Sequence, residues 1–329
     1  MAGCTTTARN LLTAPQAVHI SGSDLDTAEP AIAAAPHGGV FLAWVEHGEG
    51  KAADIFVQKC DTDGKPTGQK VRVNSEAGQA TAWRGDPPSV TVGADGVVFV
   101  AWSASLKSEV AHGSNILLSI SRDDGKSFSA PVTVNDDKYP AMHGMSSLAV
   151  SEDGRVFVVW LDERFLQTPE KMAADKAKAE AKAKGETKEE KHVHMEANRE
   201  VYFAVSNDGG KSFSANQKLA ADVCPCCKTA VTVAPNGRVY VGWRQVLPNE
   251  FRHIAVTSSD NNGGSFSAPV VVSDDQWQIT ACPVSGPALK VDANNALTVA
   301  WFTGGARGVS GVTRPTPPTR AKPLLRVIL

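Results

Sequence analysis

Apolar and polar positions along the chain recur as pairs of short runs, each pair ending in tryptophan. Five ungapped segments, 30–44, 88–102, 146–160, 229–243 and 287–301, show the pattern, and their last residues Trp44, Trp102, Trp160, Trp243 and Trp301 are 58, 58, 83 and 58 positions apart. In the second segment Ser89-Val90-Thr91-Val92 alternates, Asp95-Gly96 turns the chain, and Val97-Val98-Phe99-Val100-Ala101-Trp102 is almost continuously apolar. Alternation, turn and continuous run predict a β-hairpin whose second strand is buried on both faces. Gly38, Gly96, Gly154, Gly237 and Asn295 occupy one equivalent position in the turn. These are the residues that adopt a left-handed backbone at least cost.

After each hairpin a third strand runs into a polar turn and a Val-rich fourth strand follows, as in 116–121, 122–128 and 132–134. Four strands per unit at a constant spacing predict an all-β propeller of four-stranded blades, with five repeats visible. The polar turns carry Ser121, Asp123, Gly125 and Phe128, then Ser206, Asp208, Gly210 and Phe213, then Ser259, Asn261, Gly263 and Phe266. In the first repeat little beyond Gly64 is kept, and Cys60 stands where the Ser would be. This Ser-x-Asp-x-Gly-x-x-Phe pattern resembles the Asp box of the sialidase superfamily (BNR-repeat proteins), and the resemblance spans roughly residues 15–313. It implies a sialidase-like β-propeller in which the box is structural: its carboxylate accepts turn N–H bonds and its ring wedges between blades. Sialidases have six blades, so five and six both stay open here. Residues 15–20 resemble the fourth strands at 131–134 and 269–272 and are expected to pair as the outermost strand of the last blade, leaving no exposed edge.

Three segments fall outside the pattern. Residues 1–14 read as a leader in which Met1-Ala2-Gly3-Cys4 resembles the end of a bacterial lipoprotein signal, with Cys4 as the lipidated residue and a lipid anchor as the consequence. Residues 169–191 are dominated by Ala, Lys and Glu and predict a solvated helical insertion in the third repeat. Residues 314–329 read as a disordered or truncated tail. A net charge of −2 gives no reason to expect a nucleic-acid partner. No run of 18 apolar residues exists, so no membrane span is expected. Six cysteines fit a periplasmic or extracellular compartment.

In such a meander the hairpin turns and boxes fall at one end of the strands, and the connections between blades fall at the other. Sialidases hold their pocket at this second end, which the resemblance makes the working face for a small ligand, metal or glycan. Aligned on the tryptophans, Cys224 and Cys282 are equivalent residues of neighbouring repeats, Cys227 is equivalent to Asp86, and Cys226 to His143. Thiolate, thioether and imidazole are the groups that soft metal ions prefer. Cys224, Cys226, Cys227 and Cys282, with Met142, His143, Met145, His192, His194 and Met195, therefore form a candidate site for a copper-like ion. A disulfide from Cys282 to one of the neighbouring cysteines, clamping two blades, is the structural alternative. Trp83, Arg252, His253 and Trp277 are candidate ligand or sugar contacts.

The sialidase resemblance also implies glycoside hydrolysis, with three Arg clamping the substrate carboxylate, a Tyr nucleophile and an Asp acid/base. Residues matching those roles are Arg84, Arg164, Arg244, Asp86, Asp162 and Tyr139. Where sialidases carry the first Arg, in a Phe/Tyr-Arg-Ile-Pro segment, this chain has Thr27-Ala28-Glu29-Pro30. The expectation is thus a binding propeller without sialidase turnover, with exo-sialidase hydrolysis and non-catalytic glycan or protein binding as the alternatives.

Overall fold

A computed structural model describes residues 20–22, 24–50, 52–106, 113–137, 140–167, 169–170, 173–174, 177, 180, 198–272, 275–305 and 311–313. Cys4, Tyr139, His192, His194, Met195, the closing segment at 15–19 and the tail at 314–329 lie outside the described residues. The described positions of the insertion are helical.

The strands fall into successive antiparallel meanders, one per repeat. Blade 1 is β1 (Asp26–Ala34), β2 (Val40–His47), β3 (Ala53–Cys60) and β4 (Val71–Arg72). Blade 2 is β5 (Ser89–Val92), β6 (Val98–Ser105), β7 (Ser114–Ser121) and β8 (Val132–Thr133). Blade 3 comprises β9 (His143–Val150), β10 (Val156–Asp162), β11 (Arg199–Ser206) and β12 (Gln217–Val223). Blade 4 comprises β13 (Ala230–Val233), β14 (Val239–Leu247), β15 (Phe251–Ser259) and β16 (Val270–Val271), and the last unit shows β17 (Ala288–Val291), β18 (Leu297–Thr303) and β19 (Gly311–Thr313). The fold is an all-β propeller of four-stranded sheets. One departure from separate blades is a pairing of Val223 with Gln245, which joins β12 to β14 and merges blades 3 and 4 into one sheet.

The repeat pattern forms this structure for local reasons. At the hairpin turns Gly38, Gly96, Gly154, Gly237 and Asn295 have φ of 96°, 81°, 82°, 84° and 62°, the left-handed region in which most side chains are strained. The second strands of blades 2, 3 and 4 are buried on both faces, whereas β18 of the last unit is buried on one and exposes Phe302 on the other. Together the strands build four hydrophobic clusters, each spanning two consecutive blades. Three of the five repeated tryptophans tie this core to the next residue but one: Trp44 donates to Glu46, Trp160 to Asp162 and Trp243 to Gln245.

At the opposite end of each third strand the polar turn closes on itself. Ser121 donates to Asp123 at 2.7 Å, Asp123 accepts from Ser127 N at 2.9 Å, and Gly125 N donates to Ser121 at 2.9 Å. Ser206 with Asp208, and Ser259 with Asn261, repeat the arrangement. Hydrogen bonds from the hydroxyls of Ser127 and Ser121 and from the Ser127 backbone hold the exposed Asp123 carboxyl down to about 2. In blade 4 the turn glycine also has a packing role: Gly263, at φ 84°, lies so close to Phe203 of blade 3 that a Cβ would fall 2.6 Å from its ring. Phe266 then meets Phe203 edge-on at 4.8 Å, and Phe128 and Phe213 pack against the clusters that their blades share with the blade before.

The ring is not uniformly packed. Leu148 and Val231 stand at one equivalent position of their first strands, each packed on the blade before it and each 8% exposed. Ile32, their counterpart in blade 1, is 64% exposed. Among the described residues, the face of blade 1 that would meet the last blade is thus uncovered.

Candidate functional site

The connecting loops of blades 2, 4 and the last unit converge at the mouth and fill it. Lys228 reaches from the blade 4 loop to blade 2, donating to the Pro87 carbonyl at 2.7 Å and the Pro88 carbonyl at 3.1 Å. Burial pulls its ammonium down to about 8, with Asp86 acting in the opposite sense. Asp86 itself accepts from Met145 N at 2.8 Å and from the Ser103 hydroxyl at 2.5 Å, and its burial raises its pKa. Backbone of Lys228 presses so closely on Gly286 that no side chain fits there. The largest chemistry of this end is therefore buried in the loops, and a cleft of 660 Å³ lies instead at the hairpin-turn end, lined by Lys59, Asp61, Lys70 and Asp124 among others.

Four cysteines meet where the blade 4 loop crosses to the next unit. Cys226 and Cys282 are joined as a disulfide with Cα atoms 6.1 Å apart. Cys224 Sγ is 3.9 Å from Cys226 Sγ and 3.1 Å from Cys227 Sγ. The sulfurs of Cys224, Cys226 and Cys282 all lie within 4.8 Å of one another. Cys224, Cys226 and Cys227 are buried in the cluster that also contains Met145 and Trp243, whereas Cys282 is exposed.

Two buried guanidinium groups border this sulfur cluster. Arg244, fully buried, donates to the carbonyls of Ser285, Arg252 and Phe302 at 2.8, 3.2 and 2.7 Å and lies over the Trp277 ring at 4.8 Å. Burial lowers the pKa of its guanidinium, against the charges of Cys227, Cys224 and Asp275. Arg252 pairs with Glu250 at 2.6 Å, but its buried Nη1 has no hydrogen-bond partner among the described residues. The hydrogen bond shared with Cys227 holds the Cys224 thiol down to about 7, helped by the Cys226 N–H and the charges of Arg252 and Arg244, and opposed by burial. Cys227 is pushed up by the same shared bond and by burial. A buried cation must be balanced by something, and around Arg244 the Cys227 and Cys224 sulfurs stand with the Asp275 carboxylate in that role.

His143 belongs to a different neighbourhood, between blades 2 and 3. Its Nδ1 donates to the Ser114 carbonyl at 2.5 Å, and Asp137 and Asp162 flank Nε2 at 3.2 Å each, off the N–H axis. Although burial alone would lower it, the two carboxylates raise the imidazole to about 9. Asp162 is held to about 2 by His143 and Arg164 against the effect of its burial. Nδ1 is bonded to the Ser114 carbonyl and Nε2 lies between two carboxylates, so in this conformation neither ring nitrogen is turned to the cysteines.

The other residues singled out in the sequence are dispersed. Arg84 pairs with Asp26 at the surface, and Arg164 is bound by Asp162, Asp136 and Asn216 while lying over the Tyr202 ring. Trp83 is 44% exposed, but Trp277 is buried against Phe302 and Arg244. His253 is buried with Nε2 unpartnered among the described residues. Among residues the pattern did not single out, Lys228 spans the mouth. Glu29 accepts from Gly85 N and pairs with His47 at 2.8 Å, both side chains nearly enclosed. A lysine directly after a cysteine pair was the only signal for the first; for the second, Glu29 stood in the segment where sialidases carry an Arg, but nothing marked its pairing with His47.

No protein-family model and no curated protein matches the chain. Solved structures do. A protein of unknown function from Dyadobacter fermentans superposes with a TM-score of 0.53 at 14% identity, over 88% of this chain and 78% of the other. The Hadza microbial sialidase Hz136 gives 0.52 at 13% identity over 84% of this chain, which spans only 53% of that enzyme. An α-L-arabinofuranosidase from Fusarium graminearum gives 0.52 at 13% identity, over 87% of this chain and 77% of the other. No helix among the described residues is long and apolar enough to cross a membrane. The chain has the fold of the sialidase-like β-propellers, at a sequence distance that leaves its chemistry to be argued from its own residues.

Proposed function

We propose that this propeller uses its mouth to bind a soft, thiophilic metal ion, copper(I) first among the candidates, at the cysteine cluster of blade 4 and the last unit. The observation that carries the reading is the convergence of the Cys224, Cys226 and Cys282 sulfurs within 4.8 Å, beside a fully buried Arg244. A thiolate–metal group is an anion, and it adds to the Asp275 charge in balancing that buried guanidinium. Thiolate donors select copper(I) and zinc over hard cations. Cys227 and the thioether of Met145, in the same buried cluster, are further soft donors. Binding requires the Cys226–Cys282 bridge to be reduced, so the metal-holding form is the dithiol form. The bridge itself supports an oxidising, periplasmic or extracellular setting.

Sialidase turnover draws no comparable support. Arg84, Arg164 and Arg244 are each bound by different partners in different blades, and the loops that would enclose a sugar are packed on Lys228. Glycan contact at the rim is favoured by one feature, the exposed ring of Trp83 beside Arg84.

The test is anaerobic titration of fully reduced protein with copper(I) against a chromophoric chelator. Wild type is expected to retain about one equivalent, and Cys224→Ser or Cys226→Ser to lose at least about tenfold in affinity. Equal retention by wild type and both variants, or none by wild type, would sink the reading. Zinc competition then ranks the two soft ions.

A further inference from the structure

Metal binding by the reduced cluster leaves unexplained what the cysteines do once one pair is oxidised. In that state a disulfide joins Cys226 to Cys282 and two thiols remain beside it. Cys224 Sγ lies 3.9 Å from the disulfide sulfur of Cys226, and Cys227 Sγ lies 3.1 Å behind Cys224. A thiolate in contact with a disulfide sulfur, backed by a second thiol, is the reacting set of thiol–disulfide exchange. Cys282, the bridge's other half, is the exposed member, while the other three are buried. Arg244 and Arg252, both buried, border the set and act on the Cys224 sulfur through their charge.

We propose that Cys224 and Cys227 form a buried dithiol that takes over the disulfide from Cys226 and Cys282, releasing Cys282 as a surface thiol that can react with external disulfides. In the first step the Cys224 thiolate attacks Cys226 Sγ. A Cys224–Cys226 bond forms, the Cys226–Cys282 bond breaks, and its electron pair leaves on Cys282, which takes a proton from water. In the second step Cys227, having given its proton to water, attacks Cys224 Sγ. The Cys224–Cys226 bond breaks with its pair on Cys226, which is then protonated. One disulfide and two thiols stand on each side, so the transfer needs no outside oxidant or reductant. Its effect is to move reducing equivalents from the interior to Cys282 and to unclamp blade 4 from the last unit.

This goes beyond the metal reading and does not rest on it, because it concerns the oxidised, chelator-treated protein. The experiment pulses native protein with a maleimide, quenches in acid, labels the remaining thiols after unfolding, and maps each cysteine peptide and each bridge. In wild type Cys282 is expected to gain the native label with time as a Cys224–Cys227 bridge replaces Cys226–Cys282. Cys224→Ser should slow that labelling by about tenfold or more, and Cys227→Ser should accumulate the Cys224–Cys226 bridge with Cys282 labelled. Buried Cys60 is the internal control for unfolding and should stay unlabelled. Should Cys226–Cys282 stay the sole bridge in wild type, or Cys282 label equally fast in Cys224→Ser, the relay is wrong. A Cys224→Ser protein that fails to fold leaves Cys227→Ser to decide: absence of a Cys224–Cys226 bridge there also overturns it.

Discussion

Alkaline pH should weaken the wild-type fold through one side chain, His143. Its imidazole is fully buried, donates from Nδ1 to Ser114 and is flanked at 3.2 Å by Asp137 and Asp162. The folded-state pKa of about 9 stands above the ordinary 6.5. A raised pKa means that the folded state binds the proton more tightly than the unfolded chain. The contribution is therefore complete below about 6.5 and is lost as pH rises through about 9. At roughly 1.4 kcal/mol per pKa unit it amounts to about 3 kcal/mol at most, because the two carboxylates draw on the same interaction. His143→Gln removes the charge while keeping an N–H donor. Urea unfolding of both proteins from about pH 6 to about pH 10 is expected to show a stability gap that starts near 3 kcal/mol and closes as the wild type loses its proton. A gap constant across that range would refute the reasoning, since it would mean that the imidazole contributes packing and not charge.

Two further contrasts test the fold. Gly263→Ala should cost about 3 kcal/mol in denaturant unfolding, from a left-handed φ and an overlap with Phe203, whereas Gly96→Ala, with the same sign of φ and open space around it, should cost only about 1 kcal/mol. Leu148→Ala should cost about 2 to 4 kcal/mol, and Ile32→Ala at the equivalent position of blade 1 well under about 1 kcal/mol. Equal costs for Ile32 and Leu148 would show that the open face of blade 1 is covered in solution.

The blades were legible because one period fixed them many times over. Each tryptophan is buried in the second strand of its blade, and the residue in each hairpin turn had to tolerate a left-handed backbone, as Gly38 and Asn295 both do at φ 96° and 62°. What lay between the repeats was harder to read. The same spacing that aligned Lys228 with no particular partner gave no sign that its ammonium crosses to the Pro87 and Pro88 carbonyls. Arg244 looked like a candidate substrate clamp because Arg at a mouth often is one, yet its guanidinium is consumed by three carbonyls and a tryptophan face. Periodicity specifies strand pairing inside a blade; it carries no information on which loop side chain turns inward across the ring.

The cysteines show where a repeat alignment stops short. Cys224 and Cys282 are equivalent residues of neighbouring repeats, yet the alignment left open which neighbouring cysteine Cys282 joins. Both stand in loops between strands, where repeat equivalence fixes neither the distance nor the direction of a side chain, and a disulfide needs Cα atoms within about 7 Å. Cys226, with its Cα 6.1 Å from that of Cys282, meets this condition. Cys224, its sulfur within 4.8 Å of both bridge sulfurs, stays free and has Cys227 at 3.1 Å further along its own loop. One short loop thus produces both the clamp and the free pair beside it, and the chemistry of the mouth follows from the second as much as from the first.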